Sequence, residues 1–317
     1  MTVILGISCH GAAPNDVVGR APHLDRETRA SPRREPGAAV NRRPDTGPAL
    51  RWGRAWKGEA APSEFLKPAA TVAGHRWSVV IPAYNEAARL PRYLREVVGY
   101  FDGRDEPYEV LVVDDGSGDD TAGAVRESSR AHPSVGLIRF SENRGKGRAV
   151  RAGMQLAQGA LRLMADADGA TPIIEVKRLE AAVLGGADVA VGSRARPDPS
   201  VARQTLASRR LAGFVFNLVA RGLGVGDVMD TQCGFKLFRG SVADDLFGAL
   251  RTDGFGFDVE LLLLARLRGY RVVEVAVNWA DQPGSKVGVL RHAPGMLGQI
   301  LAARWRLAVH SSSRRIP

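Results

Sequence analysis

Cysteine is scarce in this chain of 317 residues: only Cys9 and Cys233 occur. Two cysteines so far apart cannot build the dense disulfide framework of a small secreted domain, so a reducing, cytosolic setting is expected. Long apolar runs are missing too. None reaches the roughly 18 residues that read as a membrane-spanning helix. Met1–Ala13 has no charged n-region and only a short apolar run, which argues against a secretory signal and against Cys9 as a lipidated cysteine. Aromatic residues make up 6% of the chain. No basic stripe interleaved with aromatics accompanies them, so nucleic acid is not an expected partner. Two glycine motifs are incomplete. Phe140 stands where a P-loop around Gly145-Lys146-Gly147 needs its first glycine, and Gly147 replaces the Ser/Thr that holds Mg²⁺. Gly116-Ser117-Gly118-Asp119-Asp120-Thr121 lacks the third glycine of a dinucleotide fingerprint.

Positive charge, by contrast, is plentiful. Lys and Arg number 44 against 34 Asp and Glu, a net charge of +10 with a pI near 10.2. That balance by itself favours an anionic partner: nucleic acid, a phosphorylated substrate or an acidic membrane surface. Eight of the 18 prolines lie before residue 77 (Pro14, Pro22, Pro32, Pro36, Pro44, Pro48, Pro62 and Pro68), among arginines and alanines with no sustained period. Such a composition buries too little apolar surface to offset its ordering entropy. Residues 1–76 are therefore expected to be a disordered, basic, Pro/Arg-rich extension. Residues 77–290 then form one folded domain, and 291–317 a basic amphipathic helix and tail.

From Trp77 onward short apolar strands alternate with helical segments. Strands are expected at Ser78–Ile81, Tyr108–Val113, Gly136–Phe140, Leu161–Met164 and Asp188–Gly192. Between them run a helix over Glu86–Tyr100, one capped by Asp119 or Asp120, one ending near Gln158, and one over Ile173–Leu184. The alternation predicts an α/β domain with a mostly parallel central sheet and helices on both faces. After Arg194 it breaks down. A helix at Thr205–Arg221 precedes Asp230–Phe238, then helices at Ser241–Leu250 and Phe257–Arg268. A strand at Arg271–Trp279, a loop at Asp281–Lys286 and a last helix at Pro294–Val309 complete the chain.

In a parallel sheet, the tips of like-directed strands meet at one edge, where open α/β sheets bind ligands. Asp115, Asp166 and Asp168 all stand at such tips. Asp166 and Asp168 flank one residue and precede Gly169 and a helix start at Thr171-Pro172. Carboxylates gathered at one edge repel unless a cation joins them, and hard oxygens suit Mg²⁺ or Mn²⁺ carried in on a diphosphate. A D-x-D spacing arises by chance about once in a chain this long, so its context must decide. Taken singly, Asp115 also reads as the acid of a helix-entry turn, Lys146 as a phosphate contact or a solvated lysine, and Asp230 as a turn acid before a strand. Asp166-Ala167-Asp168-Gly169-Ala170 resembles the nucleophile motif of haloacid-dehalogenase-type phosphatases as well. There Ala170 replaces the expected Thr or Val, and the motif closes a fourth unit where it should open the domain.

Six blocks follow one another: Val79-Val80-Ile81-Pro82-Ala83-Tyr84-Asn85-Glu86, Val113-Asp114-Asp115-Gly116-Ser117, Asn143-Arg144-Gly145-Lys146-Gly147, Asp166-Ala167-Asp168-Gly169, Gly192-Ser193-Arg194 and Asp230-Thr231-Gln232-Cys233-Gly234-Phe235-Lys236-Leu237-Phe238. In this order they resemble the family 2 inverting glycosyltransferases. Within these, the chain resembles the polyprenyl-phosphate sugar synthases, most of all the dolichyl-phosphate β-glucosyltransferase branch, over about Trp77–Trp305. The resemblance implies a single GT-A-type catalytic domain, a nucleotide-sugar donor such as UDP-glucose, a polyprenyl phosphate acceptor, Mg²⁺ or Mn²⁺, and inversion at the anomeric carbon. It implies that Pro82, Tyr84 and Glu86 line the nucleotide pocket and that Asp115 bonds the base; Lys146, from its own place near a helix start, is added as a candidate phosphate contact. Asp166 and Asp168 would hold the metal, and Arg194 with Arg209 or Arg210 the acceptor phosphate. Asp230 would lie near the reacting centre. Mannosyl relatives often carry Gln near Ala170, which separates this sequence from them.

The eukaryotic branch begins with a membrane anchor that this sequence lacks, so peripheral attachment at the cytoplasmic face of the membrane is expected. Two segments could lie on a bilayer or pack in the core: Leu211, Phe214, Val215, Leu218 and Val219 beside Arg209, Arg210 and Arg221, and the Met296–Leu307 helix. Asp281–Lys286 reads as a lid or as a plain surface loop. Rival readings keep the fold with another donor (UDP-N-acetylhexosamine or GDP-mannose) or a soluble acceptor, or replace catalysis by basic membrane or nucleic-acid binding.

Overall fold

The computed structural model describes residues 61–68, 74–204, 228–280, 282 and 289–313. Its central strand, β2 (Trp77–Ala83), is buried along its whole length, as an apolar strand covered on both faces must be. β2 pairs in parallel with β3 (Tyr108–Asp114) on one side and β5 (Leu161–Met164) on the other, and β3 pairs in parallel with β4 (Val135–Arg139). β6 (Val189–Ser193) and β9 (Val272–Ala276) are parallel to each other. With β1 (Glu64–Leu66) and β8 (Lys236–Arg239) they form an eight-stranded sheet of order β1-β4-β3-β2-β5-β8-β6-β9. Two residues each of β7 (Arg203–Gln204) and β10 (Trp279–Ala280) make a separate parallel pair.

Alternating side chains send two cores to the two faces. Val79, Ile81, Val110 and Val112 meet α1 (Leu90–Asp102), α2 (Thr121–Ala131) and α4 (Val176–Leu184). Val80, Leu111 and Val113 meet α3 (Lys146–Leu156), α5 (Gly240–Ala249) and α6 (Phe257–Leu267). The last helix, α7 (Val289–Ser313), joins this second layer through Ile300. The architecture is the α/β domain with a mostly parallel sheet and helices on both faces that the strand–helix alternation predicts.

The structure departs from the sequence pattern in two places. First, β8 is inserted between β5 and β6 and runs antiparallel to both. Its Leu237 points into one core and Phe238 into the other, so four residues suffice to fill the gap. Because β8 runs backwards, its start lies where β5 and β6 end, which delivers Asp230–Phe235 to the ligand edge. Second, order begins before residue 77. Glu64–Leu66 pair antiparallel with Leu137–Arg139 of β4, and Glu64 forms a two-point ion pair with Arg126 at 2.7 and 2.6 Å. Gly136 admits this strand, since a Cβ there would lie 2.6 Å from Pro68 and 2.7 Å from the Leu66 carbonyl. A three-residue edge strand carries no periodic signal, so composition alone misplaces the boundary. The helix expected at Thr205–Arg221 and all of Asp281–Lys286 except Gln282 lie outside the described residues.

Candidate active site

The loops after β2 and β3 are tied together by polar side chains. Asn85 adopts a left-handed backbone (φ 55°). Its side-chain oxygen accepts bonds from Gly118 N (2.8 Å) and Asp119 N (3.3 Å), while its own N–H donates to Ser117 Oγ (2.8 Å). Glu86 N donates to Thr121 Oγ1 (2.8 Å). Asp120 holds the N-cap position of α2 without a side-chain bond, and Asp119 before it accepts from Thr121 N (3.1 Å). Asp115 is buried and accepts from Arg144 N (2.8 Å) and Gly145 N (2.9 Å), one bond to each oxygen. Burial outweighs these two bonds and pushes its carboxyl up to about 6, with Asp114 adding to the rise. Asp115 thus fixes the Asn143–Gly147 turn. Pro82 is buried in β2, and Tyr84 lies exposed at the rim.

Beyond β5, Asp166 and Asp168 diverge in their partners. Asp166 Oδ1 accepts from Lys146 Nζ at 2.6 Å, and this ion pair outweighs burial to hold its carboxyl below the usual range. Asp168 Oδ1 accepts from Ala170 N (3.0 Å), and its Oδ2 lies 4.0 Å from Arg89. Burial, reinforced by Asp166, raises the Asp168 carboxyl. Gly234 is required here: a Cβ on it would fall 2.0 Å from Asp166 Oδ2. Below the pair, fully buried Lys236 bonds Asp258 Oδ1 (2.5 Å) and the Cys233 carbonyl (2.6 Å).

On the far side of β8, Arg194 grips Asp230 three times. Its Nε and Nη2 donate to the two carboxylate oxygens (2.7 and 2.8 Å), and its backbone N–H adds a third bond (2.8 Å). Arg194 also lies over the Trp279 ring at 5.5 Å. Asp230 is buried, yet Arg194 holds its carboxyl below the usual range against that burial. Glu274 on β9 orients the same loop by accepting from Met229 N and Asp230 N.

Residues 78–247 match the profile of Glycosyl transferase family 2. The chain belongs to that family. A human dolichyl-phosphate beta-glucosyltransferase is 39% identical over 223 residues, covering 66% of this chain and 69% of that protein. One from Dictyostelium discoideum is 34% identical over 241 residues, covering 72% and 74%. The fold is also similar to glucosyl-3-phosphoglycerate synthase from Mycobacterium tuberculosis solved with UDP, with a TM-score of 0.56 at 19% identity over 75% of this chain and 82% of that one. The same synthase with Mn²⁺, UDP and glucosyl-3-phosphoglycerate gives 0.51 at 20% identity over 74% and 80%.

The family 2 sheet edge gathers Asp115, Lys146, Asp166 and Asp168 on one side of β8 and Arg194 and Asp230 on the other. Arg209 and Arg210 lie outside the described residues. Among the described residues no three His, Cys, Asp or Glu side chains converge into a closed metal cage. Two partly exposed acids at one tip suit a cation that brings further ligands with it, as a metal–diphosphate does. Several contributors escape sequence reasoning. Glu274 and Asp258 sit within apolar segments with no motif around them. Arg89, which forks onto Glu86 and faces Asp168, looks like an ordinary helix-start arginine. Gly234 and Lys236 do carry a signal, since both lie inside the Asp230–Phe238 block, though no role is attached to either there.

Proposed function

We propose that this chain transfers a glucosyl unit from UDP-glucose to a polyprenyl phosphate, with inversion at the anomeric carbon. The reading rests on one observation: the curated relatives, dolichyl-phosphate beta-glucosyltransferases, match the stretch that builds this sheet edge at 34–39% identity. The nucleotide lies over Pro82, Tyr84 and Glu86, with Asp115 accepting from the imide N–H of uracil. Asp166 and Asp168 hold Mg²⁺ or Mn²⁺, which neutralises the charge of the leaving diphosphate. Lys146 is within reach of the same oxygens.

Arg194 receives the acceptor phosphate. Asp230 takes two of its guanidinium nitrogens, which fixes the plane and leaves Nη1 for the acceptor phosphate. A phosphate monoester has a second pKa of about 6 and is largely a dianion at neutral pH. Its oxygen bonds the anomeric carbon from the side opposite the diphosphate as the carbon–diphosphate bond breaks, with no proton to remove. Asp230 therefore orients Arg194 instead of acting as a base.

The enzyme works as a peripheral protein at the cytoplasmic membrane face. Among the described residues no helix is long and apolar enough to cross a membrane. Leu297, Leu301 and Trp305, the last 70% exposed, recur every four residues along α7, a helix with no acidic residue. Met296, Ile300 and Ala303 are buried on its other side. An apolar stripe on a cationic helix fits an anionic lipid surface.

The test incubates purified protein with Mg²⁺ or Mn²⁺, polyprenyl phosphate and labelled UDP- and GDP-sugars in turn. Label from UDP-glucose is expected in the organic phase. Absence of lipid-extractable label from every donor overturns the reading.

A further inference from the structure

Lys146 and Lys236 belong to one charge cluster but are held differently. Lys236 is fully buried between two acceptors, Asp258 Oδ1 and the Cys233 carbonyl. Lys146 keeps 23% of its side chain exposed and donates to one described acceptor, Asp166 Oδ1. The main chain around Lys146 is pinned. Asp115 takes the Arg144 and Gly145 amides, Arg148 N donates to Asp253 O (3.1 Å), and a Cβ on Gly147 would lie 2.4 Å from Thr252 O. The helix start cannot shift, but the four-carbon side chain can swing.

An ammonium 2.6 Å from Asp166 Oδ1 occupies one oxygen of the acid pair. A divalent ion arriving alone would meet that positive charge at short range. A metal already paired with a diphosphate arrives almost neutral, and its phosphate oxygens offer the lysine a new acceptor. We propose that Lys146 is an exchangeable counter-ion: it holds Asp166 until donor binds, then passes to the diphosphate and releases Asp166 to the metal. Metal binding thereby depends on the donor, and by linkage donor binding depends on the metal. The inference rests on the proposed metal role of Asp166 and Asp168.

The test measures Mn²⁺ affinity from the loss of the free-ion paramagnetic resonance signal, with and without UDP, in wild type, Lys146→Met and Lys146→Gln. The glutamine keeps a hydrogen-bond donor but no charge, and thermal melts confirm that each variant folds. Both substitutions are expected to change the two measurements in opposite directions. Mn²⁺ without UDP should bind on the order of tenfold tighter than in wild type, while UDP in the presence of Mn²⁺ binds on the order of tenfold more weakly. A plain phosphate-binding lysine would weaken UDP and leave Mn²⁺ alone unchanged; a structural lysine would weaken both. Either result overturns the exchange while leaving the metal site in place. Wild-type protein that takes up no Mn²⁺ even with UDP overturns the metal reading itself.

Discussion

The two sides of β8 use carboxylates in opposite ways. On the donor side, Asp115 and Asp168 accept bonds from backbone amides, and Asp166 and Asp168 remain 37% and 24% exposed. On the acceptor side, Asp230 is 2% exposed and the described bonds to its carboxylate all come from Arg194. Asp166 and Asp168 keep part of their carboxylates open to a ligand, Asp115 spends both oxygens on turn amides, and Asp230 aims an arginine. In the proposed function the same residue type thus serves coordination in one place and orientation in another, and the partner decides which.

The sharpest way to break this contrast is Asp168→Asn. It removes one charge of the exposed pair, with its Oδ1 bond to Ala170 N still available to the amide. Turnover is expected to fall on the order of 10³-fold with the melting temperature nearly unchanged, measured by lipid-phase label and calorimetry. A covalent aspartyl-phosphate on Asp168 in wild type would contradict its role.

Asp230→Asn should do less, and to a different parameter. Arg194 keeps its ring contact but loses its charged partner, so kcat/KM for polyprenyl phosphate drops on the order of 10²-fold while UDP-glucose affinity stays constant. Loss of a charge-assisted bond to a buried acid also costs roughly 1.5–3 kcal/mol of stability. A general base would instead show as a shifted acid limb of kcat, and that outcome would return Asp230 to the reacting centre.

The smallest effect is a pH dependence carried by Asp115. Its carboxyl is raised from an ordinary 3.8 to about 6 by burial, so it protonates just below neutrality. Only the carboxylate accepts from both the turn amides and a base imide. UDP-glucose, which has no phosphate group titrating in that range, should therefore bind more weakly as pH falls below about 6, approaching tenfold per unit. Asp115→Asn should flatten the profile. The stability term has the opposite sign. The folded protein takes up a proton between 3.8 and about 6, so this group's contribution falls as pH rises through that window.

How much of this was legible beforehand depends on the range of the interaction. Leu90, Leu94, Val97 and Val98 announce α1, and the apolar runs at Val79–Ile81 and Val110–Val113 announce β2 and β3, because periodicity reports which face of a local element is buried. β3 runs into Asp115 and β5 into Asp166, so these acids at the sheet edge could be read in order. Lys236 and Asp258 could not be paired from the chain, since charged residues are ordinarily solvated and only the closed layer between β8 and α6 strips their water. Arg194 and Asp230 are 36 residues apart, and nothing local names one as the other's partner.

Local pattern, set by side-chain size and polarity along a few turns or pleats, was enough for the strand–helix alternation and for the acids at the strand tips. Tertiary structure alone chose where β8 entered and in which direction. That choice turns on which hydrogen-bonding edges remain unpaired once β5 and β6 have formed, and a backward strand was the one way to bring Asp230 and Gly234 to the edge where Asp166 ends.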